Sequence, residues 1–295
     1  MRILILLAVV SGSLFAQSIR PIPWKDSPIR GSAVVKGQMS AKQAQAGTVR
    51  KTFFFPEDVV FPHLATGNGW ETEITLVNMS LGTLDFDIYF YNPQGSEFTV
   101  TLREQPNGEP ITNSAFEVSL DSGASTTVVL VDTTPGLLRQ GWAVVDYTGD
   151  DNRLGGHATF RQKIAGRADY EALIPMSSYE DYKFLLPVND SEVNNSVGFI
   201  TAIAMCNPSA NLSANILVRL LDLDGDEIAR RELTLGPQQH VAVAIREWFP
   251  QIVGQYATLD VESDTDRLSA IGLRFNAAGG NSFSSVPIMN WIGLL

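Results

Sequence analysis

The sequence predicts an all-β fold of two tandem antiparallel β-sandwich domains, immunoglobulin-like in type and related by internal duplication. The first observation behind this is a repeat: residues 70–95, WETEITLVNMSLGTLDFDIYFYNPQG, return at 199–225 as FITAIAMCNPSANLSANILVRLLDLDG. Trp70, Thr72, Ile74, Leu76, Asn78 and Ser80 fall at a constant offset on Phe199, Thr201, Ile203, Met205, Asn207 and Ser209, and one inserted residue later Gly95 falls on Gly225. A period of more than about 100 residues belongs to a duplicated domain, because solenoid units are much shorter. The second observation is the alternation of apolar and polar residues in short runs bounded by Gly, Pro, Asn and Asp, which suits strands with one face in a core. The third is the absence of any long amphipathic helical pattern, which leaves sheet-on-sheet packing as the way to bury those faces.

The chain opens on MRILILLAVVSGSLFAQS, with a single Arg, an unbroken apolar run over residues 3–10, then small residues and Ala16 before Gln17. This is the pattern of a secretory signal and is too short to span a bilayer. Residues 1–16 are therefore expected to be removed and the protein to be secreted, to the periplasm or the cell exterior. No other stretch approaches the length of a membrane helix, so no transmembrane segment is expected in the mature chain. Residues 17–52 hold Pro21, Pro23 and Pro28 followed by a Gly, Ser, Ala and Gln mixture without an apolar period, and read as a linker. Domain 1 is expected over 53–178 and domain 2 over 183–295.

Within domain 1, Trp70, Thr72, Ile74 and Leu76 alternate with Glu71, Glu73 and Thr75 in the first regular strand. Phe86, Ile88 and Phe90 alternate with Asp85, Asp87, Tyr89 and Tyr91 in the second. Asn92, Pro93, Gln94 and Gly95 turn it into a third through Phe98, Val100 and Leu102, with Gly supplying a positive φ. Further strands follow over 116–120, 126–131, 142–147, 156–164 and 170–174. Domain 2 repeats the order, with strands over 215–221, 240–245 and 256–261, and a short helical turn over 247–253.

Charge is unevenly placed. The linker carries seven basic residues against one acidic, whereas residues 53–295 carry 13 basic and 31 acidic. Such a body repels nucleic acid, which is excluded as a partner. The only cysteine, Cys206, rules out an intramolecular disulfide and alternates with Ala202 and Ala204 as a small buried hydrophobe does.

The FPH-x-GNGW-x-T-x-I-x-L-x-N run over 61–78, the Asn-Pro-x-Gly hairpin and the closing apolar-Pro strands resemble an uncharacterised family of secreted bacterial proteins built from tandem β-sandwich-like repeats. The likeness covers residues 53–295, most closely in the first copy; the second has Asn194, Asn195, Ser196, Val197, Gly198 and Phe199 where the first has its Gly-Asn-Gly-Trp element. The resemblance implies fold and compartment and brings no reaction with it.

Chemistry-bearing residues are scattered. His63, His157 and His240 lie in different elements without metal-ligand spacing, and His63 and His157 approach each other only if the fold brings them together. No nucleophile elbow, phosphate loop or zinc helix motif is present, so no catalytic residues and no cofactor are expected. Asp150 and Asp151, with their counterparts Asp264 and Asp266, form acid-rich loops that are candidates for structural calcium. If Phe86, Ile88 and Phe90 face the core, Tyr89 and Tyr91 point outward beside Asp85 and Asp87, as aromatic rings and carboxylates do in a sugar-binding face, unless another strand, the linker or the second domain covers them. A strand apolar on both sides is normally covered on both sides, and 199–206 carries Ile200, Ala202, Ala204 and Cys206 where the first copy has its charged face. That face is expected to meet the first domain, the N-terminal arm or a partner chain. These features favour a secreted, non-enzymatic binding or structural module with an unknown protein or glycan partner. A carbohydrate-binding protein using the aromatic face of domain 1 is the alternative, and a hydrolase built from scattered carboxylates the second.

Overall fold

The computed structural model describes residues 18–21, 59–147, 154–163, 166, 169–178, 182–193, 196–265, 267–276 and 282–290. The signal-like leader, most of the basic segment, Asp150, Asp151 and Asp266 lie outside the described residues. The described chain is all-β, with short antiparallel sheets, one α-helical turn at Ile245–Trp248 and one 3-10 turn at Pro250–Ile252.

The first sheet runs in the order Ser18–Pro21, Ala115–Leu120, Leu84–Tyr91, Arg139–Tyr147, Val59–Thr66, Ser177–Ser178. The second runs Tyr170–Pro175, Leu154–Gln162, Trp70–Asn78, Ser125–Leu130, Val100–Glu104, Ile111–Asn113. The third is Glu227–Leu235, Ala214–Leu221, Tyr256–Ser263, Lys183–Asn189, Met289–Asn290, and the fourth is His240–Ala244, Phe199–Cys206, Ser269–Asn276, Ser282–Val286. Five strands of the first sheet recur in the third in the same order, and four of the second recur in the fourth; Ser18–Pro21, Val100–Glu104 and Ile111–Asn113 have no counterpart in the second copy. Trp70–Asn78 and Phe199–Cys206 occupy the same interior place, each paired on both sides.

Alternation puts Ile74, Leu76, Phe86, Ile88, Phe90, Phe116 and Val128 into one core between the first two sheets. Phe184, Leu186, Ile203, Met205, Ile216, Val218 and Leu259 form the corresponding core of the second copy. Two pairs of repeated polar residues stitch these layers. The Thr72 hydroxyl donates to the Ala65 carbonyl at 2.7 Å and accepts from the Ala65 amide at 3.0 Å, and Thr201 does the same with Asn189, both at 2.9 Å. The Asn78 amide donates to the carbonyls of Leu120 and Gly82, and Asn207 to those of Leu235 and Leu212.

Two expectations change. The four larger sheets follow one another in a propeller-like ring and do not stand clearly as two separate immunoglobulin-like sandwiches; Glu192–Val193 and Ser196–Val197 add a two-stranded sheet. The reason is the outer face of the fourth sheet: Ala204, Ile271, Leu273 and Phe283 join the core of the first copy, with Ala202, Ala242 and Phe275 packed against it, while Cys206 meets the outer face of the first sheet. The apolar face of Phe199–Cys206 is thus covered by the first repeat, with Ile200 half-buried beside it. The segment read as linker also begins with structure, because Ser18–Pro21 adds as an edge strand to Ala115–Leu120 and places Ile19 against the core.

Candidate functional site

The residues with the most chemistry collect at the seam between the repeats, where two hairpin turns meet. In the first copy Asn92 accepts from the amides of Gln94 and Ser96, and Gly95 closes the turn at φ 79°. A Cβ on Gly95 would stand 2.5 Å from the Pro237 carbonyl, so glycine is required for the turn and again for the approach of the second copy. In that copy Gln238 sits at φ 60°, its amide bonded to the Ser209 carbonyl, and the His240 amide donates to the Pro93 carbonyl at 3.1 Å.

This geometry lays Gln238 over two aromatic plates. Tyr91 and Trp142 stack with centroids 4.6 Å apart and planes 14° from parallel. The Trp142 indole donates to the Gln238 carbonyl at 2.9 Å, and the Gln238 side-chain amide donates to the Tyr91 hydroxyl at 3.0 Å. Val60, Tyr89, Ala115, Val144 and Cys206 fill the space around them.

The expected sugar-binding face is therefore closed. Tyr89 and Tyr91 do point away from the core of the first copy, but both are fully buried, covered by the second copy. The Tyr89 hydroxyl donates to Asp87 at 2.9 Å, and burial, reinforced by that carboxylate, pushes the phenol far above its ordinary range. Asp85 is exposed and lies opposite Ser119 at the start of the strand, away from the rings. Of the acids considered for calcium, Asp264 accepts from the main-chain and side-chain amides of Asn215 at 2.8 and 2.7 Å, which ties a loop to a strand end. No group of three or more potential metal-ligating side chains occurs among the described residues.

His63 and His240, 177 residues apart in sequence, meet across the seam. Their Nδ1 and Nε2 atoms are 3.1 Å apart, and the rings lie nearly parallel, 5° between planes and 5.1 Å between centroids. The edge of Phe160 closes His63 from the other side. Both are buried, which lowers His63 to about 4 and His240 well below its ordinary value, in the latter case with a further contribution from His63. His157 takes no part in this contact; it pairs with Thr75 and Pro175 in the second sheet. Cys206, directly across the strand pair from His240, is buried and its thiol is pushed well up by desolvation.

All three histidines stand out in the sequence, but the pair expected to approach, His63 and His157, is not the pair that forms; His63 meets His240, and nothing local marks a residue whose partner arrives with a second domain. The one usable signal was the apolar second face of 199–206, which places His240, the neighbour of Cys206, at a covered surface. Beside the seam an open cleft of about 370 Å³ is lined by Asn92, Pro93, Glu97, Phe98, Leu138 and Arg139 among others, with the Arg139 guanidinium 4.7 Å above the Phe98 ring. No protein-family model matches the chain, and no curated protein matches it.

Proposed function

We propose that the protein is an exported, non-enzymatic module in which two duplicated β-sandwich repeats form one continuous body that offers its polar sheet faces to an extracellular partner. The observation carrying this reading is that His63, His240, Cys206, Tyr89, Tyr91 and Trp142 are all spent on joining the repeats, shut away from any substrate. The polar sheet faces outside the seam are laced by ion pairs: Lys163 with Glu71 and Arg161 with Glu171 on the second sheet, and on the third Arg219 and Lys183 with Glu262 and with Asp260, which they cover. Export is supported by the leader pattern of residues 1–16, and an extracellular rather than nucleic-acid partner by the excess of acids in residues 53–295.

The test is intact-mass measurement on exported protein together with an activity screen of that material on polysaccharide, peptide and ester substrates. Loss of about the first 16 residues and no turnover are the expected results. Retained Met1 would remove the export reading. Turnover that disappears in a His63→Gln, His240→Gln variant would remove the non-enzymatic one.

A further inference from the structure

Among the described residues, the His63–His240 contact is the one in the seam that joins two titratable rings, and each repeat supplies one. We propose that it is an acid-sensitive latch: it holds the repeats together while both rings are neutral, and acid multiplies the transient opening of the seam while each repeat keeps its strands.

A neutral imidazole carries one N–H and one bare nitrogen, so a single proton lies between Nδ1 of His63 and Nε2 of His240. Nδ1 of His240 is buried and has no partner among the described residues. If His63 were the donor, that nitrogen would hold a buried, unsatisfied N–H. With His240 donating, it is only a bare acceptor, which is the less costly arrangement. A further proton has no good place. On Nδ1 of His240 it lacks an acceptor, and on either ring it creates a desolvated cation facing a parallel imidazole.

The surroundings do not compensate such a charge. From Phe199–Cys206 the titratable group facing His240 is the Cys206 thiol. From Leu154–Gln162 it is Phe160 that meets His63, and from Trp70–Asn78 the residue paired with Phe160 is the hydroxyl-bearing Thr72. Glu71, Glu73 and Arg161 on those two strands pair with one another and with Lys163 and Glu171 on the opposite face. On Arg139–Tyr147, Arg139 lies over Phe98 and Asp146 stands opposite Asp87; on Ser269–Asn276, Arg274 lies over Phe199. Neither histidine bonds a carboxylate among the described residues.

The direction follows by linkage. In the closed seam His63 is lowered to about 4 and His240 is also lowered, whereas in an opened seam each titrates near 6.5. The open form therefore binds more protons. Closure is fully favoured above about pH 6.5 and is progressively lost down to about pH 4. For His63 alone, going from pH 7.5 to 5 multiplies the opening equilibrium by about 30-fold, and His240 acts in the same direction.

Cys206 is the reporter, since it is the only thiol and lies under the seam. In the full mature chain its reaction with a bulky thiol reagent is measured between pH 7.5 and 5 and divided by that of a cysteine peptide at the same pH, with far-UV circular dichroism recorded alongside. The latch predicts a rise in the normalised rate of at least about 30-fold with unchanged circular dichroism, and a rise below about threefold in the His63→Gln, His240→Gln variant. A flat rate, an equal rise in both proteins, or a rise seen only with loss of β signal would overturn it. Should the double variant not fold, His63→Gln alone is expected to lose its about 30-fold share of the rise, and an unchanged rise in it overturns the latch.

Discussion

At the residue scale the duplication has kept side chains that do the same mechanical task twice. Thr72 and Thr201 each clamp both main-chain groups of one residue on a strand of the facing sheet. Asn78 and Asn207 each bridge a loop carbonyl and a strand-end carbonyl while accepting from the amide two residues on. All four are buried, so removing the side chain strands several polar groups away from water. Asn207→Ala is expected to cost about 2–4 kcal/mol and Asn78→Ala a similar amount, read as a fall in the urea midpoint at unchanged slope. Thr101→Val, which removes one exposed hydroxyl pair with Thr112, is the control and is expected to stay within about 0.5 kcal/mol. A loss at Asn207 no larger than at Thr101 would mean that the buried carbonyls find other partners.

At the element scale, what was legible in the sequence and what was not divides along the range of the interaction. Strands such as Trp70–Asn78, with burial alternating residue by residue, and turns such as those closed by Gly95 and Gly225, both at positive φ, are set by local period and turn chemistry, and both were readable. The ring of sheets was not, because it depends on how two finished sheets dock. Ser18–Pro21 was unreadable for a related reason: a four-residue edge strand with one apolar anchor, Ile19, carries no period of its own. Tyr89 and Tyr91 were placed on the correct face, but their burial was decided by another repeat. Phe199–Cys206 shows the same contrast inside one element, since its core face matched the first copy whereas its second face, Ala202, Ala204 and Cys206, was written for a partner surface. Ala204, 1% exposed, sits where the repeats meet. Ala204→Glu would bury an unpaired carboxylate there and is expected to cost at least about 3 kcal/mol or to separate the repeats, detectable as faster proteolysis and Cys206 labelling at neutral pH. Glu73→Ala, which loses a 3.9 Å surface contact with Arg161, should change stability by less than about 1 kcal/mol.

At the scale of the whole molecule the two repeats share buried surface that neither can supply alone. The core of the first copy includes Ala204, Ile271, Leu273 and Phe283 of the second, with Trp70 and Phe283 rings 5.2 Å apart, and the aromatic cluster of the first sheet is closed by Cys206 and Ala210. Each buried aliphatic or aromatic side chain of this kind contributes about 1.5–3 kcal/mol relative to exposure, so parting the repeats forfeits an amount comparable to the net stability of an ordinary domain. Sequence duplication would lead one to expect two independent unfolding steps; the shared core argues for one. In urea at neutral pH, tryptophan fluorescence and far-UV circular dichroism are expected to trace a single coincident transition, with a slope set by the surface of both repeats together. Two resolved transitions would show that the seam contributes little, and would also leave the latch with nothing to hold. The second repeat expressed from residue 183 exposes Leu273, Phe283 and the Ala204 row, an apolar sheet face without cover. It should accordingly self-associate or unfold at lower urea than the full chain, as sedimentation and the same urea titration would record.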